Sequence, residues 1–275
     1  MADVLKAACV QMTSGSDVQE NLKVAEGLIR EAVSGGAQLV VTPEVTDQVL
    51  PRGADRVGES FVQDEHPGVA FFAALAQELS IHLVIGSMLI KTASDKVANR
   101  SFLFAPDGSL QDSYDKIHLY DVDLPTGESW WESNVFTPGD RLVVSDCQDF
   151  KLGLSVCYDV RFPHLYRDLA KNGAEILTIP AAFTVPTGKA HWEVLLRARA
   201  IETGSFVLAA DQCGDHMGMK QSYGHSMIIS PWGEILAAAG EEVGIIAADL
   251  NLEEVAKARR SIPALQHDRK YTVEA

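Results

Sequence analysis

What this chain lacks narrows it first. No two of its four cysteines, Cys9, Cys147, Cys157 and Cys213, form a CxxC pair, which argues against a disulfide framework or a zinc ribbon. Cys213 and His216 have a CxxH spacing, but no second pair completes a tetrahedral site, so no metal is expected. Basic residues are in deficit, 23 Lys and Arg against 38 Asp and Glu, for a formal net charge of -15. Nucleic acid and anionic membrane both reward basic patches and are not expected partners; an acidic surface also simply favours solubility. No Gly-x-Gly-x-x-Gly follows a strand, which sets a dinucleotide-binding enzyme aside. No apolar run approaches the roughly 20 residues of a membrane-spanning helix, and the first ten residues lack a basic stretch leading into a long apolar one, so no secretory signal is expected. These absences fit a soluble protein in a reducing, cytoplasmic setting. With no low-complexity stretch and no obvious linker, the 275 residues read as a single domain, 1–275.

What is present has an α/β rhythm. Lys6 to Val10 reads as a strand, and Leu22, Ala25, Leu28, Ile29, Ala32 and Val33 form a helical stripe that ends at Gly35-Gly36. Leu39 to Val41 predicts a short buried strand, Pro67 to Leu79 a helix and Ile81 to Ile85 a strand. Arg100 to Ala105 and Leu110 to Tyr114 flank Pro106-Asp107-Gly108, a hairpin tip. The second half repeats the pattern: strand Leu152 to Val156, helix Pro163 to Lys171, strand Glu175 to Ile179, helix Ala190 to Glu202 and strand Phe206 to Ala210. A hairpin of Met227 to Ile229 and Glu234 to Ala238 turns on Pro231-Trp232-Gly233; strand Val243 to Ala248 and helix Leu252 to Ser261 follow. Alternation alone suits a single doubly wound sheet equally well. The paired Pro-x-Gly hairpins favour a four-layer α-β-β-α sandwich, two mixed sheets face to face with helices outside.

Three segments place a reactive group where a strand ends. Val40-Val41-Thr42-Pro43-Glu44 puts a carboxylate after a buried strand, where burial raises its pKa and suits it to proton transfer; it would equally serve as a loop cap. Tyr114 to Asp121 sets Lys116 among aromatic and acidic neighbours, a fixed cation or a solvated charge. Cys157 ends the run Leu152 to Val156 and precedes Tyr158-Asp159-Val160-Arg161-Phe162-Pro163. That pattern predicts a sharp turn from strand to helix, exposing the sulfur and aiming helix-start amides at whatever it attacks. A buried thiol is usually inert; the combination of carboxylate, ammonium and thiol at strand ends is what points to nucleophilic catalysis.

The chain resembles the nitrilase, or carbon-nitrogen hydrolase, superfamily. The likeness rests on Pro43-Glu44, on Lys116-Ile117-His118-Leu119-Tyr120-Asp121 and on Gly153 through Pro163. It continues through Pro180-Ala181-Ala182-Phe183-Thr184, Gly188 to Glu193, Arg197 to Glu202, Tyr223-Gly224-His225-Ser226 and Pro231-Trp232-Gly233. By that resemblance Glu44 is the general base, Lys116 the cationic stabiliser and Cys157 the nucleophile. Glu132 matches the second glutamate common in the family better than Glu128 does. Tyr158, Arg161, Phe183, Thr184 and Lys189 are the expected substrate-binding residues, and no cofactor is needed. Thr42, His164 and Asp211 depart from the commonest family patterns.

The resemblance implies attack by Cys157 on a small carboxamide, loss of ammonia, and hydrolysis of a thioester. It is nearest to the omega-amidase and deaminated-glutathione amidase branch, whose substrates are anionic 2-oxo acid amides. A chain of net charge -15 then needs a local cationic patch, for which Arg161, Lys189 and Arg197 are candidates; Arg161 and Arg197 could instead be structural. An N-carbamoyl amino acid amidohydrolase or an aliphatic nitrilase would use the same residues, and a non-catalytic scaffold is the reading of another class. A homodimer or higher homo-oligomer is implied by resemblance only.

Overall fold

In the computed structural model, which describes residues 4–51, 54–93, 95–125, 127, 129–218 and 220–274, the first half of the chain runs β1 (Val4–Gln11), α1 (Val18–Ser34), β2 (Leu39–Val41), α2 (Pro67–Leu79), β3 (His82–Ala93), β4 (Lys96–Phe104) and β5 (Leu110–Asp115). A short ribbon, β6 (Asp121–Asp123) with β7 (Ser129–Trp131), leads to β8 (Val144–Asp146), β9 (Lys151–Leu154), α3 (Pro163–Lys171), β10 (Ile176–Thr178), α4 (Val185–Thr203) and β11 (Phe206–Ala209). A second ribbon, β12 (Cys213–Asp215) with β13 (Gln221–Tyr223), precedes β14 (Met227–Ile229), β15 (Ile235–Ala238), β16 (Gly244–Asn251) and α5 (Glu253–Ser261).

Two six-stranded mixed sheets result, ordered β16-β1-β2-β3-β4-β5 and β15-β14-β11-β10-β9-β8. Successive side chains of a strand point to opposite faces, and here both faces are covered. Ala7, Cys9, Leu39, Val41, Val84 and Leu103 pack in one core with Leu152, Leu154, Leu208 and Ile228 of the other sheet. The residues between them, Ala8, Val10, Val40, Leu83, Ile85, Phe102 and Phe104, pack with Leu22, Ala25 and Ile29 of α1 and Phe72, Leu75 and Ala76 of α2. On the second sheet, Leu165 and Leu169 of α3 and Trp192, Leu196 and Ala200 of α4 join the first core. Double coverage explains why the strands read as unbroken apolar runs. The architecture is the expected α-β-β-α sandwich.

Both hairpins turn where expected, with Gly108 at φ 82° and Gly233 at φ 84°. The short strands β6, β7, β8, β12 and β13 were not expected, β4 starts four residues before the expected Arg100, and three further differences shape the sheets and the site. The strand expected over 81–85 continues to Ala93, its pairing with β4 shifting register between Ile85 and Met88. At Gly86 in that irregularity, an added Cβ would lie 2.2 Å from the Thr42 carbonyl and 2.4 Å from that of Pro43, so only glycine lets β3 pass the Glu44 turn. The helix expected from Ala190 begins five residues earlier, because Thr184 is an extended N-cap and Pro186 is tolerated in a first turn. Finally, β16 leaves the second half and pairs antiparallel with β1 along the edge of the first sheet.

β1, β2 and β3 are mutually parallel, as are β9, β10 and β11. Open α/β sheets bind ligands beyond the carboxyl ends of such strands. β2 runs out into Glu44, β9 into Cys157, β10 into Pro180–Thr184 and β5 into Lys116. The two ribbons bring in Glu132, directly after β7, and Lys220, directly before β13.

Candidate active site

Cys157 is the point where the local chain departs from ordinary geometry. Its φ is +51°, a region that costs a side-chain-bearing residue energy and needs surrounding structure to hold it. Two contacts hold it. The Cys157 amide donates to the Pro180 carbonyl at 2.8 Å, tying the turn to the end of β10. The fully buried Asp159 accepts from the Val156 amide at 2.9 Å, the Tyr114 hydroxyl at 2.7 Å and the His118 amide at 3.1 Å. Its contact with His118 Nδ1 is 2.7 Å. One carboxylate therefore fastens the cysteine turn to the segment that carries Lys116. His118 is stacked on Phe162, with His164 edge-on to it, so the unusual His164 joins the aromatic packing behind the turn.

Glu44 and Lys116 are buried, 4% and 1% exposed. Glu44 Oε1 accepts from Lys116 Nζ at 2.9 Å and Asn99 Nδ2 at 2.7 Å, and Oε2 accepts from the Ala182 amide at 2.8 Å. Lys116 Nζ also donates to Glu132 Oε1 at 3.1 Å, while Glu132 Oε2 accepts from the Tyr120 amide at 2.8 Å. The turn under Glu44 is closed by threonine hydroxyls. Thr42 Oγ1 meets Thr46 Oγ1 at 2.7 Å and accepts from the Gly86 amide at 3.1 Å, which is the work of the departing Thr42.

The electrostatics correct one expectation. Burial alone would raise the Glu44 pKa, as the sequence reading supposed, but Lys116 and Lys220, with hydrogen bonds from Cys157 and Lys116, outweigh it and hold the carboxyl below its usual range. The Cys157 thiol moves the other way: burial and the Glu44 charge push it well above its ordinary value, against the pull of Lys116. Burial works against the Lys116 charge, yet Glu132 and Glu44 raise its pKa well above normal. The resting site is thus carboxylate, ammonium and neutral thiol, with the proton acceptor beside the thiol.

A cavity of about 470 Å³ opens over this group. Glu44, Lys116, Glu132 and Cys157 line it together, and so do Tyr158, Phe183 and Thr184 among the expected substrate-binding residues. Arg161 and Lys189 are outside its lining. Arg161 stands over the Phe183 and Tyr158 rings at 5.5 and 5.9 Å with Nη1 3.4 Å from His191, and Lys189 is exposed on α4, one turn past the helix start. Arg197 is spent on the Gly233 carbonyl and Glu193. Glu128 falls outside the described residues. Sequence reasoning missed Asn99, Arg56 and Lys220 as pocket residues. None of the three left a signal: Asn99 lies in β4 beside the equally polar Arg100 and Ser101, and Arg56 and Lys220 are loop cations. His216 of the CxxH spacing sits between the Ser14 carbonyl at 2.8 Å and Ser222 Oγ at 2.9 Å, both ring nitrogens used.

The comparisons bear on which chemistry this cluster serves. The carbon-nitrogen hydrolase family model matches residues 6–260. The chain belongs to the carbon-nitrogen hydrolase family. Among relatives of this carbon-nitrogen hydrolase, a deaminated glutathione amidase of Synechocystis is 42% identical over 265 residues, 95% of this chain and 97% of that protein. A human omega-amidase is 36% identical over 271 residues, 98% of this chain and 97% of that one. Among solved structures, an amidase mutant from Nesterenkonia superposes with a TM-score of 0.80 at 27% identity, over 94% of each chain; it carries the acetamide moiety of fluoroacetamide covalently added at its active-site cysteine.

Asp211, which departs from the family's small residue, lies fully buried behind the Ala182–Phe183 wall of the hydrolase pocket. Its Oδ1 accepts from the Phe183 amide at 2.9 Å, and Oδ2 has no partner among the described residues. Burial pushes its carboxyl well above the ordinary range, the Glu44 charge adding to this and the Phe183 amide and Lys220 opposing it. The folded state therefore keeps a proton that the unfolded chain has lost, and this contribution to stability falls as pH rises above the ordinary Asp value. Asp211→Asn keeps the acceptor for Phe183 and removes the titration. Thermal melts from pH 5 to 9 should show Asp211→Asn gaining on wild type as the pH rises, with a flatter decline in its thermal midpoint. Parallel declines in the two proteins would mean that Asp211 is ionised in the native protein as well, and would overturn this reading.

Proposed function

We propose that this carbon-nitrogen hydrolase cleaves a small carboxamide, with a 2-oxo acid amide as substrate, to a carboxylate and ammonia through a thioester on Cys157. The observation that carries the reading is the buried Glu44–Lys116 pair, 2.9 Å apart, in one cavity with a cysteine held at positive φ. Burying two charges is costly, and a scaffold that performed no chemistry would gain nothing from that cost. The relatives named for deaminated glutathione and omega-amide hydrolysis support the substrate class.

In this mechanism Glu44 takes the thiol proton as sulfur bonds to the amide carbon. Lys116 has three donors, of which Glu44 and Glu132 take two, leaving one for the tetrahedral oxyanion. The Tyr158 backbone amide is the second oxyanion donor; groups of this kind contribute about 100- to 1,000-fold each. Glu44 returns the proton to the leaving nitrogen, the C–N bond breaks, and ammonia departs. Water, deprotonated by Glu44, then cleaves the thioester and restores the thiol. Glu132 positions Lys116 throughout. The described cysteines are all free, which suits a reducing compartment such as the cytoplasm.

Ammonia release from a 2-oxo acid amide, a simple aliphatic amide, an aliphatic nitrile and an N-carbamoyl amino acid, measured side by side, tests the reading. Fastest turnover is expected on the 2-oxo acid amide, with acyl-Cys157 detectable by intact mass under rapid quench. Turnover confined to the nitrile or the carbamoyl compound would overturn it.

A further inference from the structure

The catalytic cluster is unfriendly to an anion. Glu44 and Glu132 face one ammonium, Lys116, which both of them already engage, so the trio carries a net negative charge. A substrate with a carboxylate must meet another cation, and the residues the sequence suggested do not line the cavity. Two other cations do, Arg56 and Lys220. Arg56 reaches toward the Leu50 carbonyl at 3.3 Å, its charge disfavoured by burial and supported by Glu132. Lys220 is better placed. Its Nζ donates to the Ala182 carbonyl at 2.6 Å and lies 5.6 Å from the centre of the Trp130 ring. No carboxylate of the described residues is paired with it, so two of its three N–H donors are open to the cavity.

The Ala182 residue fixes its distance from the chemistry. The amide of Ala182 donates to Glu44 and its carbonyl accepts from Lys220. From standard bond lengths, the ammonium is therefore at most about 9 Å from the Glu44 carboxylate. An extended five-carbon ω-amide separates its reacting carbon from its far carboxylate carbon by about 5 Å, and a hydrogen bond at each end spans the remainder.

We propose that Lys220 is the anion-binding group of this pocket, taking the substrate carboxylate and so selecting acidic amides over neutral ones. This deepens the amide-hydrolase reading and rests on it. The Trp130 ring attracts the ammonium from one side, and the Ala182 carbonyl aims it. Because the ribbon β12–β13 delivers Lys220 while strand ends deliver the reacting groups, specificity and chemistry sit on different elements.

Kinetics of Lys220→Met and Lys220→Arg decide the assignment, using 2-oxoglutaramate and the neutral butyramide as substrates. Glutarate protection of Cys157 against iodoacetamide gives a second readout that needs no turnover. A charge-assisted hydrogen bond corresponds to about 10- to 100-fold. Lys220→Met is expected to cut the ratio of kcat/KM for 2-oxoglutaramate over butyramide by about that factor, mostly through KM, and to raise the half-protecting glutarate concentration about 10-fold or more. Lys220→Arg should restore most of both. Equal losses on both amides, with glutarate protection unchanged, would make Lys220 only a clamp on the Ala182 carbonyl and overturn the proposal. Should wild type hydrolyse neither amide, the amide reading falls, and the glutarate measurement alone still upholds or overturns the role of Lys220.

Discussion

Cys157→Ala is expected to reduce amide turnover to background, a loss of at least about 10,000-fold in kcat, while the thermal midpoint stays within a few degrees of wild type. The loss is large because in the proposed mechanism the thiol is the attacking atom, so Glu44 and Lys116 would remain in place with nothing to activate. The fold survives because alanine meets the φ of +51° on the same terms as cysteine, and the amide contact to Pro180 does not involve the sulfur. Asp159 also keeps its hold on Val156, Tyr114 and His118. Turnover in Cys157→Ala within tenfold of wild type, on a substrate confirmed for wild type, would end the thioester mechanism. Far-ultraviolet and near-ultraviolet circular dichroism on the same sample separates lost chemistry from lost structure.

Glu44→Gln should lower kcat by roughly 100- to 10,000-fold, the usual range for a lost general base, and should also cost stability. Both carboxylate oxygens are acceptors in the native site: Oε1 serves Lys116 and Asn99, Oε2 serves Ala182. A glutamine must point its NH2 at one of those donors, leaving a buried donor unpaired at about 1–3 kcal/mol. With the NH2 toward the Ala182 amide, the remaining oxygen still accepts from Lys116 and Asn99. The acidity of Cys157 moves the opposite way, since the Glu44 charge is one of the causes that raise its pKa. Hydrolysis should thus fall without a matching fall in iodoacetamide alkylation at neutral pH. A proton carrier behaves this way. If both rates fell by the same factor, Glu44 would be acting through the position of Cys157. Residues that act as one unit are not additive, so adding Glu44→Gln to Cys157→Ala should change the remaining rate little.

The strand–helix rhythm was legible because its causes are local. The α1 stripe, the Pro67 and Pro163 helix starts, and the two Pro-x-Gly tips each lie within one window of sequence. The continuation of β3 past Ile85 was not, because it depends on the Thr42 and Pro43 carbonyls passing beside Gly86 from another strand. The start of α4 was misplaced for a related reason: Gly188, a helix breaker in isolation, lies in the helix where an added Cβ would be 2.2 Å from the Tyr223 ring. The pKa of Glu44 failed in sign, since its desolvation was readable from the buried strand before it, whereas Lys116 and Lys220 arrive from 72 and 176 positions away.

The sequence by itself determined the family resemblance, the sandwich and the identities of the nucleophile, carboxylate and ammonium candidates, because each occupies a strand end marked by its own neighbours. Only the tertiary structure decided which charges share one low-dielectric cavity. It joined Glu44, Lys116, Glu132 and Cys157, left Lys189 in solvent and Arg161 behind the aromatic wall, and brought in Asn99 and Lys220. Proton affinity and charge selection depend on distances of a few ångströms between segments far apart in the chain, and those distances exist only once the two sheets have packed.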